Sequence, residues 1–489
     1  MSPAHSATQR RWVVIVVVIA VLAGVAVVAR SPGTIPPGGP PVEPASIVAS
    51  PAAESSAWYC TGQTTAAGQL APGSVVLTNT GSRTVTGTMH GVTDTGVRVQ
   101  NPVSVPAHRQ VVANVPTPST GTWLSEAVTL GGGGVAVSQA VHGPSGWAES
   151  PCQSSTSQQW YFPSGVTTGS NALFIALFNP TSTPDVVDVS FVTIKGVVHP
   201  INFQGIVVRA DEMQVESVSP YVQEQASVAT IVQTRTGRLV ASQFQLFSGD
   251  GSGLALVPGS PNVERDWTIP QAEEVATGAS SIDVFNPGPA AEEVTVRARL
   301  GSGPLSPFRA RVSPDTTWVL STGAQSRIPA GDPYSAVIEA RGGSGVVVGR
   351  TVYAPSSAQA PQDGMAMAVG MLTTTTPSRL WVVPSPGSAA TPALPGASPA
   401  HLAVTNLSGH RETYVVEVMG PKRSLTLASG VITSSMTLSL GPAVLARAGL
   451  NPLLVSASGP AAVSQDIGPT GSLGVVTMPG IPLSLGGGN

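Results

Sequence analysis

Two cysteines, seven histidines and two adjacent pairs of glutamates are the residues of this 489-residue chain whose chemistry bears testing first. Cys60 and Cys152 are its whole complement of thiols. In an exported chain, two cysteines read by default as one disulfide, here closing a loop of about ninety residues and adding ~2–4 kcal/mol. Two free buried thiols are the alternative. A metal centre has no support, because two thiolates without a nearby histidine cluster cannot complete a tetrahedral shell. His5, His90, His108, His142, His199, His401 and His410 are scattered and form no H-x-x-H or H-E-x-x-H pair. No G-x-S-x-G elbow, Walker loop or G-x-G-x-x-G fingerprint is present, and the run Gly131 to Gly134 reads as a turn between strands rather than a phosphate cradle. Asp250 sits in a Ser-Gly-Asp-Gly-Ser-Gly hairpin tip, where one carboxylate falls short of the roughly six to eight oxygens that calcium takes. Glu273-Glu274 and Glu292-Glu293 would serve glycoside hydrolysis only if two carboxylates faced each other ~5–10 Å apart across a cleft, which adjacency does not arrange. No catalytic, cofactor-binding or metal-binding residue can be named, no cofactor is implied, and the chain is not expected to be an enzyme.

Charge narrows the partners. Charged residues make up 10 % of the chain, and without Arg10, Arg11 and Arg30, which flank an N-terminal apolar run, 20 basic residues face 26 acidic ones. Nucleic acid is excluded as an expected partner, since phosphate binding needs a basic face. With so little charge, contacts are expected to come from strand edges and shallow apolar patches, with little dependence on salt.

The elements that must position any site come from a repeat. Trp58, Trp160, Trp267 and Trp381 each open the same programme: an extended apolar run ending in Asn, a polar-apolar alternation, and a late Ser-Gln or Gly-Arg step. The turn residues Asn79, Asn179, Asn286 and Asn406 lie 21, 19, 19 and 25 residues after their Trp; Gln139, Gln243, Arg350 and Gln465 lie 81, 83, 83 and 84 residues after it. A period near one hundred residues matches a β-sandwich module and is far longer than the ~20–50 residues of solenoid repeats. The 54 glycines, 45 prolines and Val-rich apolar share disfavour helices, leaving one short helical piece at Pro442 to Ala448. The second repeat shows the strands best, with runs at 172–179, 187–191, 197–208, 213–218, 228–232, 239–247 and 254–257. The tryptophans are expected in cores, Asn to tolerate a left-handed turn, and the late Gln and Arg to face solvent, because every second residue of a half-buried strand does. The fold class is therefore all-β: four tandem Ig-like β-sandwich repeats at 58–157, 158–265, 266–379 and 380–489.

Upstream, Trp12 to Ala29 gives 18 consecutive apolar or small residues behind Arg10 and Arg11, long enough for one membrane span. It reads as an uncleaved anchor at 12–29 with residues 1–11 in the cytoplasm; a cleaved signal peptide, with Val27-Val28-Ala29 as its site, is the other reading. Residues 30–57, with seven prolines, form a linker that favours extended polyproline conformers.

With the span, the Pro-rich linker, Trp160-Tyr-Phe-Pro, Leu177-Phe-Asn-Pro and Val187-Asp-Val on view, the chain resembles a family of actinobacterial membrane-anchored exported proteins of unknown function, over roughly residues 10–485. The resemblance implies a cell-envelope location and carries over no activity. Repeats one and four drift from the motif, with Cys60 at its third position and a Pro-rich insertion from Pro384 to Pro399. The expectation is a single-pass membrane protein whose extracytoplasmic repeats form a scaffold or adaptor binding envelope proteins or wall polymer. The other class is a carbohydrate-binding or envelope glycan-processing protein with a cleft between repeats.

Overall fold

The computed structural model describes residues 46–66, 68–114, 120–248, 253–273, 280–329, 332–354, 364–369, 371–372, 378–386, 397–420, 424–469 and 476–484. The expected anchor and most of the Pro-rich linker lie outside them. Among the described residues no helix is long and apolar enough to cross a membrane. Glu43 to Asn489 is one compact unit. Among the described residues its regular structure is strand, apart from a 3-10 turn at Ile201–Phe203 and a four-residue helix at Pro442–Leu445.

The first repeat shows the plan. Its strands are β1 (Ser56–Thr64), β2 (Gly73–Asn79), β3 (Val85–Thr93), β4 (Arg98–Val105), β5 (Gln110–Ala113), β6 (Trp123–Leu130), β7 (Val135–Gly143) and β8 (Gly146–Pro151). They form two antiparallel sheets, ordered β1-β6-β3-β4 and β5-β2-β7-β8. Alternate residues of both sheets, among them Trp58, Leu77, Met89, Val128 and Val137, make a shared buried core. The second sheet recurs with the same order as 212–217, 172–179, 240–247, 253–258; as 316–321, 281–286, 347–354, 364–369; and as 437–440, 397–406, 461–469, 476–479. The first sheet recurs likewise, with the tryptophan strand at its edge in repeats one and two and flanked by one further short strand in repeats three and four. In the second repeat the apolar run 197–208 is not one strand: Gly196–Val198, the 3-10 turn and Ile206–Val208 share it.

After the last strand of its second sheet each repeat sends the chain back beside its own first strand. Gln153 pairs with Tyr59, Ser260 with Tyr161, Met371 with Thr268, and Ile481 with Val382, in each case the residue after the tryptophan.

The second sheets have little free face, because the outer face of one repeat packs on the next, whereas strands such as β4 and Leu425–Ile432 expose alternate residues. Trp123 of repeat one stacks among Phe174 and Phe244 of repeat two, with ring centroids 5.0 and 5.1 Å away. Tyr161, Val192 and Ala229 of repeat two join the core of repeat three. Thr405 of repeat four donates to the Pro270 carbonyl of repeat three at 3.2 Å. Val382, Ile481 and Leu483 of repeat four join the core of repeat one. The contacts thus close into a ring. At its centre β8 packs against Gly253–Pro258, that strand against Gly364–Val369, that one against Val476–Pro479, and the last against β8.

The segment arriving from the linker clasps the ring shut. Val48 forms a parallel bridge with Leu483, its N–H donating to Pro482 and its carbonyl accepting from Ser484, both at 2.9 Å. The glycine run takes the next residues: Gly134 and Gly133 donate to the Ala49 and Ala53 carbonyls, and a Cβ at Gly133 would fall 2.0 Å from the Ser50 oxygen.

Candidate functional site

Cys60 and Cys152 are bonded, with sulfurs 2.03 Å apart and both residues fully buried. The four tryptophans are at most 3 % exposed, and the indoles of Trp160 and Trp267 donate to the Leu239 and Val346 carbonyls at 3.0 and 2.9 Å. None is a ligand platform.

The four asparagines are buried, and none has a left-handed backbone. Each is a staple. Asn79, Asn179, Asn286 and Asn406 donate through Nδ2 to the residue four positions on and to a carbonyl across the sandwich, Val105, Val208, Val312 or Ile432; their Oδ1 accepts from the N–H two residues on. The left-handed residues of this region are instead His108, Asp211, Asp315 and Ser435, each leading into the strand beside the staple.

The late Gln and Arg correct the expectation of a solvent-facing position. Gln139, Gln243, Arg350 and Gln465 are at most 5 % exposed, since their strand is covered on both faces. The first strand supplies the reason. Its register shifts between Thr61 and Gln63 and between Ile269 and Ala272, and a bulge leaves a carbonyl unpaired. Gln139 donates to the Thr61 carbonyl at 3.2 Å, Gln243 to Ser164 at 2.6 Å, and Arg350 to Gln271. A buried carbonyl has to be met, and the opposite sheet meets it.

Of the acids, Glu292 is buried and accepts the Gly345 N–H at 2.6 Å, while Glu293 is exposed and paired with Arg311. Neighbours on a strand point to opposite faces, so this pair cannot act on one substrate. Glu274 and Asp250 lie outside the described residues. Among the described residues no three His, Cys, Asp or Glu gather as metal ligands.

The seam between repeats three and four differs from the others. Counting from the shared Asn and Gln, the positions of Phe178 and Phe244 are taken by Thr405 and Asp466, so the aromatic filling of the first seam is missing here. A cleft of about 430 Å³ opens, lined by Arg297, Arg299, Leu305, Pro307, Glu339 and Ser435 among others. A smaller cavity of about 90 Å³ adjoins it through Arg299 and Ser335, and adds Pro270, Gln271, Tyr334, Met436 and Thr437.

Arg297 grips Glu339 with two bonds of 3.2 Å, and this holds the Glu339 carboxyl below the usual carboxylate range. Arg299, two residues on along the same strand, donates through Nε to the Met436 sulfur and makes no other hydrogen bond or ion pair among the described residues. Deeper in the seam Arg350 approaches Asp466 at 3.4 Å, and His401 lies directly across the sheet from Asp466. Several buried polar atoms here have no partner among the described residues: both ends of the Gln271 carboxamide, Arg350 Nε, Gln465 Oε1 and His401 Nδ1. The arrangement can bind polar groups. It offers no free carboxylate pair, since arginines hold both Glu339 and Asp466.

Comparison with solved structures finds only low overall similarity. The crystal structure of Thermotoga maritima 1070 is similar at TM-score 0.20 and 19 % identity, over 22 % of this chain and 94 % of that one. The Anabaena sensory rhodopsin transducer follows at TM-score 0.17 and 18 % identity, over 18 % of this chain and 95 % of that one. A tetra-tandem repeat from the extending region of a large adhesion protein covers 88 % of this chain and 100 % of its own, at TM-score 0.10 and 10 % identity. No curated protein matches the chain. Residues 111–332 match the model of a family of unknown function, DUF5719.

Proposed function

We propose that the chain is a single-pass, membrane-anchored scaffold of a cell envelope, whose four tandem Ig-like β-sandwich repeats bind a partner outside the cytoplasm through the cleft between repeats three and four. The observation that carries this reading is the contrast between the repeats' shared polar residues and that seam. The Asn staples serve the fold in all four repeats, Gln139, Gln243 and Arg350 meet backbone carbonyls, and the indoles of Trp160, Trp267 and Trp381 do the same, whereas the cleft places Ser335 and Arg299, whose terminal nitrogens are unbonded among the described residues, beside open space. The size is suited to a ligand, since small-molecule and peptide sites run ~300–1,000 Å³. Binding is favoured over turnover because the cleft's carboxylate is tied to an arginine, which keeps it ionised and engaged.

Site-specific photo-crosslinking in intact cells tests this. A benzophenone residue at Leu305, in the cleft, should capture an envelope component that one at Ile194, on repeat two, does not. Equal capture at both positions, or hydrolysis of an envelope glycan by the purified chain, would sink the scaffold reading.

A further inference from the structure

The seam between repeats three and four departs from the others at one further position. Thirteen residues after the staple asparagine, repeats one, two and four carry Val92, Val192 and Met419, all buried. Val92 packs with Trp123, Phe174 and Phe244 in the first seam, and Val192 joins the core of repeat three. Repeat three carries Arg299 there instead, half-buried on the wall of the larger cleft. A guanidinium in place of a seam valine forfeits apolar contact and brings in a charge that partial burial penalises unless an anion meets it. Its own sheet supplies none. Among the described residues the only acid lining the cleft is Glu339, and Arg297 holds it; on the same sheet face Glu293 is taken by Arg311 and Asp266 by Arg341. Two arginines against one glutamate leave the cleft with one positive charge.

Ser335 lies directly across the ladder from Arg299, so its side chain shares that face, and Pro304, Leu305, Pro307 and Leu407 give the cleft apolar walls. A guanidinium fork takes the two coplanar oxygens of a carboxylate side by side, and one positive charge balances one carboxylate. A phosphate monoester, with nearly twice that charge, needs a second cation, which Arg297 does not supply while it holds Glu339. We propose that the cleft binds its ligand through a single carboxylate, seated on the terminal nitrogens of Arg299 and on the Ser335 hydroxyl. The inference rests on the cleft being the binding surface. A sugar acid and a peptide end both present this group, and the probes below separate them.

The test titrates the full chain in detergent with two matched pairs, galacturonic acid against galactose and N-acetyl-alanine against its amide, and with glycerol phosphate. In at least one pair the acid should bind about tenfold or more tightly than its neutral twin, and the pair that responds names the source of the carboxylate. Arg299→Val should abolish that preference and Arg299→Lys should keep part of it, while Arg311→Gln, on an exposed pair, should leave it unchanged. Arg299→Val has a second readout. Because valine is what repeats one and two place there, the urea midpoint should stay level or rise, and a marked fall would mean that Arg299 is structural and overturn the proposal. Equal binding within both pairs, tighter binding of glycerol phosphate than of either acid, an undiminished preference in Arg299→Val, or no binding of any probe overturns it as well. If Leu305 crosslinking still captures an envelope component in those cases, the scaffold reading stands and only the carboxylate inference falls.

Discussion

Arg350 and Asp466 meet across the seam of repeats three and four at 3.4 Å, with side chains 6 % and 11 % exposed, where the other three repeats place glutamine at the arginine's position. The two depend on each other. Arg350→Gln should keep a bond to the Gln271 carbonyl, as Gln139 and Gln243 make theirs, yet leave Asp466 buried and unpaired, for a loss of about 3–5 kcal/mol. Adding Asp466→Asn should recover most of that loss. Urea unfolding of the two single variants and the double variant gives the coupling; a double variant as unstable as Arg350→Gln would show that the pair does not act as a unit.

The asparagine staples should behave alike in all four repeats. Asn179→Ala removes donors to Thr183 and Val208 at 2.7 and 3.1 Å and an acceptor from Thr181 at 2.9 Å, so its loss should amount to roughly 2–4 kcal/mol. Asn179→Asp should be no better, because the carbonyls then face a carboxylate. A loss below about 0.5 kcal/mol in denaturant titration would refute the staple.

Stability should fall as pH rises from about 4 to about 8. Burial pushes the Glu149 carboxyl from 4.5 up to about 8 against a hydrogen bond from Ser138, and burial pushes Asp283 from 3.8 up to about 6 against bonds from Ser281, Ser164 and Thr351. Each holds its proton in the folded state through a range where the unfolded chain has lost it. Its stabilising effect is therefore complete below the unfolded value and lost as pH climbs through the folded one. Both sit on seams: Ser164 belongs to repeat two, and Ala140, the cross-strand partner of Glu149, packs on Ile467 of repeat four. Glu149→Gln should remove its own share of the decline, on the order of 2–5 kcal/mol and extending to pH 8, and Asp283→Asn the share that ends near pH 6. A flat stability profile for the unaltered chain would refute both assignments.

Cys152→Ser should lower stability by about 2–4 kcal/mol, since the bond joins residues 92 apart and both sulfurs are buried in the core of repeat one. The unaltered protein, denatured without reductant, should show no titratable thiol. Two thiols would mean that the bond is absent.

The tryptophan period, the strand content and the cysteines' placement around one repeat were legible because each is a local or compositional signal. The late glutamines were not. Period two says which residues share a face, but whether that face is wet depends on the neighbouring repeat, and no single strand encodes that. Pro163, Pro270 and Pro384, each three residues after its tryptophan, were the available hint of an interrupted ladder and so of a carbonyl in need of a donor. The cleft was hidden for a similar reason. It arises where Thr405 and Asp466 replace Phe178 and Phe244, a difference that matters only once outer faces are known to meet.

The bridge between Val48 and Leu483 sets the two ends of the ring side by side, so the order in which the chain visits the repeats is not written into their neighbours. A circular permutant that starts at Trp267, passes from Leu483 to Val48 through a short flexible loop and ends after repeat two would keep every seam, the clasp and the disulfide. Which repeat comes first along the chain is then a separate choice, and changing it would leave the cleft between repeats three and four without a single altered contact inside it.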